Sequence, residues 1–570
     1  MRENLTIGIV GSGGDGVVAI GELILASARI KGYYGKLMKD YDAQIRGGGS
    51  SVKISLSGEE NEFPKDDLDI LVCLSCEKFP EFKKGLTISE DTLVFFEEER
   101  AMQFFALPAG GQAGARFVQI PFGKISQELT GSSQNRNVAV LGLLFGMIGL
   151  KEYPDAKILS GKNMAAFAAG ANEATEFFTE SLLLVSPKNK ANETITIDGN
   201  GAISKAAIRA GCKFAATYPI TPASEVGEEL SHELSKVGGV YLQAEDEIAA
   251  ACMILGASLA GVKAMTATSG PGFDLMTETI NLGSACEIPM VIIDVQRAGP
   301  STGMPTKIEQ ADLSAAIFGG HGYAPRAILA PYNIEGCYRL TVEAFNIAEE
   351  YQVPVILLSD QYLAKTTQVV SDFTKNDYPV KNRLEPAPEE KNKYLRYGIT
   401  PNFISPMALP GQEGFTWQTT GLTHDEKGSP RSESFEWQQK MQEKITKKLE
   451  PLRSRQDLVK IFGPKNAKIG LIAWGSSGEV SLAAVKSLGM EKKIKVCVPE
   501  LVSPMPKSIV AEFLKGLKKL IVVEMNYSGQ YHGFLRRYFN LPEKTLVCKR
   551  AGGRPWSQKE ITDFILWALI

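Results

Sequence analysis

Apolar positions in this chain follow two rhythms, short unbroken runs that fit buried strands and a three-to-four-residue period that fits helices, and the two alternate along most of its length. The first run, Thr6–Val10, leads through Gly11-Ser-Gly-Gly-Asp-Gly16 into a helical period over Val17–Ala28. That order predicts the strand, glycine turn and helix of an α/β unit. Further strands are expected at Val52–Leu56, Ile70–Leu74, Thr92–Phe96 and Phe117–Ile120, with helices over Asn137–Leu150 and Asn163–Glu180 covering the sheet. The polar stretch Ser186-Pro-Lys-Asn-Lys-Ala-Asn-Glu193 reads as a connector, which closes a first domain at residues 1–185.

From Thr194 the alternation is clearer. It predicts helices at Gly199–Ala210, Ser224–Lys236, Glu247–Leu259 and Thr277–Ala285, interleaved with strands at Phe214–Ala216, Val240–Gln243, Lys263–Thr268 and Pro289–Val295. A long helix and the strand Val353–Ser359 complete a second domain, residues 194–375. Strands regularly separated by helices imply a parallel sheet covered on both faces, a doubly wound fold. Residues 376–460 differ in character, with Pro-Ala-Pro-Glu-Glu-Lys at 386–391 and a charged helical run over Glu433–Arg455, and they read as an inter-domain arm. A last α/β domain, residues 461–570, has strands at Lys468–Trp474, Lys495–Val498 and Lys519–Glu524. The fold class is therefore α/β, built from several doubly wound domains.

The 570 residues are too many for a single core. Lys and Arg number 62 against 65 Asp and Glu, so the net charge of −3 provides no field to attract nucleic acid or an anionic membrane. Neither a basic and apolar leader nor a run near the ~20 residues of a spanning helix is present, and a cytoplasmic protein is expected. Of the eight cysteines only Cys73 and Cys76 form a CxxC, inside an apolar strand-like run. Two buried thiols fit that setting better than a metal pair, so no metal ligands and no cluster are assigned to this chain.

Chemistry concentrates at four predicted strand ends. In Phe214-Ala-Ala-Thr-Tyr-Pro-Ile-Thr-Pro-Ala-Ser-Glu225, Thr221 followed by Pro222 reads as a helix N-cap and first helical position, leaving N–H groups that suit a carboxylate. A merely well-capped helix explains the same residues. In Tyr241-Leu-Gln-Ala-Glu-Asp-Glu247, three acids precede an apolar helix, either as complements of its dipole or with one withheld from water to bond a cofactor nitrogen. Thr266-Ala-Thr-Ser-Gly-Pro-Gly272 ends in a turn open enough for a ligand to approach the backbone. Gln296-Arg-Ala-Gly-Pro-Ser-Thr-Gly303 delivers Arg297, suited to a carboxylate or to a structural ion pair.

Tyr218-Pro-Ile-Thr-Pro222, Glu247-Ile-Ala-Ala250, Thr268-Ser-Gly-Pro-Gly272 and Gln296-Arg-Ala-Gly-Pro-Ser-Thr-Gly-Met-Pro-Thr306 resemble the α subunit of 2-oxoacid:ferredoxin oxidoreductases, particularly the 2-oxoglutarate type. Gly11–Gly16 and Arg46-Gly-Gly48 resemble that family's γ domain, fused here ahead of α, and Glu524-Met-Asn-Tyr-Ser-Gly-Gln530 resembles its transketolase-C-terminal-like domain. The resemblance implies a pyrimidine-binding domain at 194–375 and thiamine diphosphate as cofactor. Tyr218, Pro219, Ile220, Ser269 and Gly270 would line the cofactor, and Glu247, chosen over Glu245, would contact its aminopyrimidine N1′. Thr221 and Arg297 would hold the 2-oxoacid carboxylate, with Arg46 and Lys307 as candidates for a second carboxylate. It further implies coenzyme A as co-substrate, ferredoxin as electron acceptor, and a β subunit carrying Mg²⁺-diphosphate and a [4Fe-4S] cluster in an (αβ)2 assembly. The same residues serve oxidative decarboxylation and its reversal, the CO2-fixing direction of a reductive cycle. Pyruvate and branched-chain 2-oxoacids stay open as substrates.

Thiamine enzymes hold Mg²⁺-diphosphate with Gly-Asp-Gly and a following Asn, yet Gly14-Asp15-Gly16 is followed at that distance by Asp42-Ala-Gln-Ile-Arg46. The match is read as a decoy. Two other readings compete: an NAD-dependent dehydrogenase built on the glycine loop, although Gly35-Lys-Leu-Met-Lys39 stands where the ribose-binding acid belongs, and a non-catalytic scaffold that kept the fold.

Overall fold

The computed structural model describes residues 3–41, 48–60, 63–105, 115–151, 161–177, 182 and 193–570. Arg46 and all but the last residue of the connector expected at 186–193 lie outside the described residues. The chain divides into two compact units, one of residues 1–198, 365–375 and 557–560 and one of residues 199–364, 376–556 and 561–570. Among the described residues no helix is long and apolar enough to cross a membrane.

The first unit is an eight-stranded sheet in the order Arg116–Gln119, Leu93–Phe96, Ile70–Cys73, Asn4–Ser12, Gly49–Ser57, Tyr34–Tyr41, Thr366–Ser371, Thr194–Ile197. Asn4–Ser12 pairs parallel with Ile70–Cys73 and antiparallel with Gly49–Ser57. Its apolar residues Leu5, Ile7 and Ile9 are fully buried in one cluster with Val17, Ile20 and Ile24 of the helix Val17–Ile30. Two strands that the sequence did not suggest, from residues assigned to the second domain, close this sheet instead, because Thr366–Ser371 pairs antiparallel with both Tyr34–Tyr41 and Thr194–Ile197. The boundaries drawn from sequence therefore differ from the units at residues 194–198 and 365–375. Backbone hydrogen bonds between strands far apart in sequence leave no local signal.

The glycine loop after the first strand is braced from within. Asp15 accepts the Ser12 N–H (2.7 Å) and the Ser75 hydroxyl (2.8 Å), and meets Arg136 Nη2 at 2.5 Å. Arg136 also pairs with Glu97 at 3.1 Å. With its carboxylate committed to the loop, Asp15 is a structural residue, as the decoy reading expects. Tyr34–Tyr41, the strand that follows the helix, is separated from the first strand by Gly49–Ser57. The adjacent parallel pair of a dinucleotide-binding βαβ is missing there, which removes the basis of the dehydrogenase reading. Cys73 and Cys76 are both buried.

The second unit holds a seven-stranded sheet in the order Leu501–Ser503, Ala327–Leu329, Pro354–Asp360, Met290–Gln296, Ala264–Thr268, Phe214–Thr217, Val240–Gln243. All its pairings are parallel except that of Leu501–Ser503. A five-stranded sheet, ordered Val459–Phe462, Ile494–Pro499, Ile469–Ala473, Lys519–Glu524, Lys544–Lys549, belongs to the same unit. One apolar cluster joins them, with Ile292, Ile356 and Leu358 packed together with Trp474, Val502, Met505 and Tyr531. The C-terminal α/β part is thus continuous with the second unit rather than a separate body.

The stretch read as an arm has no sheet of its own but is anchored on charge. Lys444 Nζ lies 2.6 and 2.7 Å from the Glu287 carboxylate oxygens, and Lys448 Nζ lies 2.9 Å from one of them. Arg396 donates to the Glu287 carbonyl oxygen at 2.6 Å and lies over the Tyr397 ring. All four side chains are buried. Burial by itself raises the Glu287 carboxyl; Lys444, Lys448 and Arg396 outweigh it and hold the group well below the usual carboxylate range. Burial lowers the Lys448 ammonium to about 8, opposed by the Glu287 carboxylate and aided by the charges of Lys444 and Arg396.

Candidate active site

The parallel strands of the second unit deliver their C-terminal ends to one edge, the usual ligand edge of an open α/β sheet. Phe214–Thr217 leads into Tyr218–Pro222, Val240–Gln243 into Glu247, Ala264–Thr268 into Ser269–Gly272, and Met290–Gln296 into Arg297. Each strand is short and each turn carries Gly, Pro or an acid, so the chain reverses where the sheet ends.

The helix after Tyr218–Pro222 does not start where the sequence suggested. It spans Ser224–Glu233 with Ala223 at its N-cap, and the Thr221–Pro222 peptide is cis. The Ala223 N–H is already bonded to the Ile220 carbonyl at 2.8 Å, so Thr221 and Pro222 belong to a turn ahead of the helix. Thr221 still reaches the site, through its backbone. Its carbonyl oxygen accepts Arg297 Nη1 at 2.7 Å, while Arg297 Nη2 reaches the Thr302 carbonyl at 3.3 Å. The Arg297 side chain is buried and its Nε has no partner, so the guanidinium keeps donor capacity. Burial lowers its basicity, opposed by the charges of Asp312 and Glu247.

Glu247 begins the helix Glu247–Leu259, with Asp246 capping it by accepting the Ala249 N–H at 2.7 Å. Capping therefore falls to Asp246, and Glu247 is buried with no donor to its carboxylate among the described residues. Glu245 is exposed. The glycine turn fits against Glu247: a Cβ on Gly272 would stand 2.6 Å from Glu247 Cγ, with Glu247 Oε1 and Thr268 Oγ1 closer still. Ser269 is fully buried and its hydroxyl has no partner. Tyr218 and Pro219 are exposed and Ile220 is half-buried beside them. Lys307 closes the turn after Arg297, its carbonyl accepting the Ala298 N–H at 2.9 Å, and is half-buried.

Sequence reasoning passed over the residues behind Arg297. Asp294, inside the apolar strand Met290–Gln296, is fully buried, and Asp312 stands before the helix Leu313–Phe318. A lone acid in the run Val-Ile-Ile-Asp-Val was the available signal. Gln296 accepts the Asp312 N–H at 3.3 Å and donates to the Ser359 carbonyl at 3.0 Å. Gln310 ties the same loop to the C-terminal part, donating to the Trp474 carbonyl (3.0 Å) and accepting the Ser477 hydroxyl (2.7 Å) and the Met525 N–H (3.0 Å). These contacts join segments roughly two hundred residues apart, which no local pattern reports.

Family models match both parts of the chain. One described as pyruvate flavodoxin/ferredoxin oxidoreductase, thiamine diphosphate-binding, covers residues 205–444, and one described as pyruvate ferredoxin/flavodoxin oxidoreductase covers residues 6–173. The 2-oxoglutarate synthase subunit KorA of Methanocaldococcus jannaschii is 37% identical over 65% of this chain and 98% of its own length. The chain belongs to the 2-oxoacid:ferredoxin oxidoreductase family. Along its whole length it is similar to the fused subunits of that family, such as the 2-oxoacid:ferredoxin oxidoreductase subunit alpha of Saccharolobus solfataricus, 30% identical over 99% of this chain and 97% of that one. The solved 2-oxoglutarate:ferredoxin oxidoreductase of Magnetococcus marinus has a TM-score of 0.93 and 32% identity, covering 100% of both chains.

For a member of this oxidoreductase family the donor set at the sheet edge fits an aminopyrimidine. Glu247, a buried carboxylate with no donor among the described residues, needs an N–H or O–H opposite it, such as a proton-bearing ring nitrogen, and the buried Ser269 hydroxyl needs a partner.

Proposed function

We propose that this chain forms the substrate and aminopyrimidine side of a composite active site that converts 2-oxoglutarate, coenzyme A and oxidised ferredoxin into succinyl-CoA, CO2 and reduced ferredoxin, in either direction. The observation carrying this reading is that Glu247, seated against Gly272, and Arg297, held on the Thr221 carbonyl, are within electrostatic reach of each other at one sheet edge. Thiamine diphosphate, when bound, supplies the nucleophilic carbon and the electron sink for decarboxylation. Glu247 is placed to hydrogen-bond the aminopyrimidine N1′, because its buried carboxylate has no other donor among the described residues. Arg297 receives the 2-oxoacid carboxylate through the guanidinium edge left open by its two carbonyl contacts, beside the free Thr221 hydroxyl. Tyr218, Pro219 and Ile220 exclude water from one wall.

Several observations support the substrate and the partner. The Magnetococcus marinus enzyme was solved with 2-oxoglutarate, coenzyme A and succinyl-CoA bound. The partner is a β subunit that brings the Mg²⁺-diphosphate site and the [4Fe-4S] cluster, in an (αβ)2 assembly that reduces ferredoxin. Beside Glu247, the edge strand and the first two helical faces leave Val240, Leu242, Ile248, Met253 and Leu275 exposed, from 39% to 52%. Exposed apolar side chains on the edge strand and on the helices that start at this sheet edge suit a second subunit. Arg46 and Lys307 are the candidates on this chain for the distal carboxylate of 2-oxoglutarate.

The test is co-purification with the partner subunit and an assay of ferredoxin reduction and acyl-CoA formation across 2-oxoglutarate, pyruvate and branched-chain 2-oxoacids. The reading expects 2-oxoglutarate to give the highest kcat/KM, with activity lost in Arg297→Ala. A preference for pyruvate would overturn the substrate assignment. Full 2-oxoacid turnover in Arg297→Ala would overturn the site, and no turnover by the wild-type complex would favour a scaffold.

A further inference from the structure

We propose that Asp294 and Asp312 form a proton-sharing carboxyl pair behind Arg297, and that this pair makes the binding of a carboxylate ligand at Arg297 proton-linked. The inference rests on the reading that Arg297 receives the substrate carboxylate.

The geometry starts from an electrostatic problem. Asp294 is fully buried on the central strand Met290–Gln296, and no N–H or O–H of the described residues reaches either of its oxygens. Asp312 is half-buried as a residue, but its Oδ2 is buried and equally without a donor. The group in hydrogen-bonding range of Asp294 is the Asp312 carboxyl itself. Two buried carboxylates in contact cannot both be ionised without donors, so at least one proton resides between them. The direction follows from the burial: Asp294, the deeper group, keeps the proton and donates it to Asp312.

The pair is fixed rather than adventitious. The Asp312 N–H bonds Gln296 Oε1, and a Cβ on Gly270 would stand 2.9 Å from Asp312 Oδ2, so the carboxyl occupies the space that the glycine leaves. Asp274 of the helix Gly270–Leu275 and Glu309 of the preceding loop repel the pair, and Arg297 attracts it. Glu247 acts on it through Arg297, Ala264–Thr268 contributes no titratable group, and Asp360 of Pro354–Asp360 is engaged by the Ser476 hydroxyl. Burial, then Asp274 and Glu309, push Asp312 up to about 7, and burial with Asp312 and Asp274 pushes Asp294 well above the ordinary range.

Below neutral pH the pair carries two protons and Arg297 is opposed only by Glu247. Above it Asp312 is ionised and repels an incoming carboxylate. A ligand anion that caps Arg297 removes its attraction for the Asp312 charge and adds repulsion, so binding draws a proton onto Asp312. If the ligand raises Asp312 by one unit, its affinity falls roughly tenfold as pH rises through the transition.

The test uses the assembled complex and N-oxalylglycine, a 2-oxoglutarate mimic that cannot be decarboxylated. Calorimetric titration in two buffers of different ionisation enthalpy gives the protons taken up on binding. Wild type is expected to take up about 0.4 of a proton near pH 7, and KM for the 2-oxoacid is expected to rise roughly fivefold from pH 6 to 8 with kcat following a different profile. Asp312→Asn should abolish the uptake and flatten the KM profile. Uptake that is absent in wild type, or unchanged in Asp312→Asn, overturns the pair. Ligand affinity unchanged in Arg297→Ala overturns the parent reading instead, and so separates the two failures. Should Asp312→Asn fail to fold, infrared difference spectra of the wild-type complex between pH 6 and 8 serve in its place. A protonated-carboxyl band that persists at pH 8 and grows at pH 6 is expected, and its absence at both sinks the proposal.

Discussion

Replacing Gly272 with alanine is the smallest change that tests whether Glu247 acts from where it stands. The added Cβ would lie 2.6 Å from Glu247 Cγ and closer to Glu247 Oε1 and Thr268 Oγ1. Ordinary contact between such atoms needs about 3.5–4.0 Å, so the methyl displaces the carboxylate by roughly 1 Å. Gly272 is not among the glycines of positive φ, and it lies within the helix Gly270–Leu275, where alanine is favoured over glycine by about 1 kcal/mol. The backbone therefore accepts the substitution, and the cost falls on the positions of two side chains, Glu247 and Thr268. A displacement of ~1 Å in a reacting group costs on the order of 10²-fold in rate. In the αβ complex, Gly272→Ala should lower kcat by about that factor, leave KM for the 2-oxoacid within about threefold, and slow H/D exchange at the cofactor's thiazolium carbon in parallel. The added methyl should lower the melting temperature only modestly, since overpacking of this kind costs about 1–3 kcal/mol and the helix position favours alanine. A variant with wild-type kcat and exchange would refute the placement of Glu247 at the aminopyrimidine. A fall in kcat with normal exchange would mean that the turn serves a later step.

Glu287→Gln removes the carboxylate shared by two buried lysines, and the loss of one partner from a buried ion cluster costs about 3–5 kcal/mol, read by thermal or denaturant unfolding. Because the folded-state pKa of Glu287 is depressed, its contribution is present above the ordinary carboxylate pKa of about 4.3 and is lost as pH falls further; acid melts of Glu287→Gln should therefore be flatter than wild type. Arg297→Lys keeps the charge but cannot span the Thr221 and Thr302 carbonyls and a carboxylate together, so KM should rise by roughly tenfold or more, and steady-state kinetics with KM unchanged would count against the binding role. Gly552→Ala places a Cβ 2.7 Å from Glu309 Cβ and nearer to the Ile308 carbonyl oxygen, pushing the loop that carries Asp312; kcat/KM should fall with little change in melting temperature, and unaltered kinetics would show that the loop tolerates the shift.

The second unit's pattern was legible because its central parallel strands, Ala264–Thr268, Met290–Gln296 and Pro354–Asp360, are buried along their whole length and alternate with helices. The helix Glu247–Leu259 and the strand Val240–Gln243 begin and end where the periodicity placed them. The four strand ends that carry Tyr218–Pro222, Glu247, Ser269–Gly272 and Arg297 were legible for the same reason, since a turn residue must follow where a buried run stops. The helix cap at Thr221 was misread because a Thr-Pro pair has the same letters in a turn as in a cap. Only the Ile220 to Ala223 hydrogen bond distinguishes the two.

What the sequence determined, then, was local: the strand and helix rhythm, the residue types at each strand end, and the family that those strings resemble. Long-range pairing decided the rest. The antiparallel addition of Thr194–Ile197 and Thr366–Ser371 to the first unit's sheet rests on backbone groups that every residue possesses. The seat of residues 376–460 rests on Glu287 meeting Lys444, Lys448 and Arg396 across more than a hundred positions. The contact of Asp294 with Asp312 likewise follows from the strand register and the Gln310 anchor, and the charge of a carboxyl group depends on surroundings that form only when the chain has closed around it.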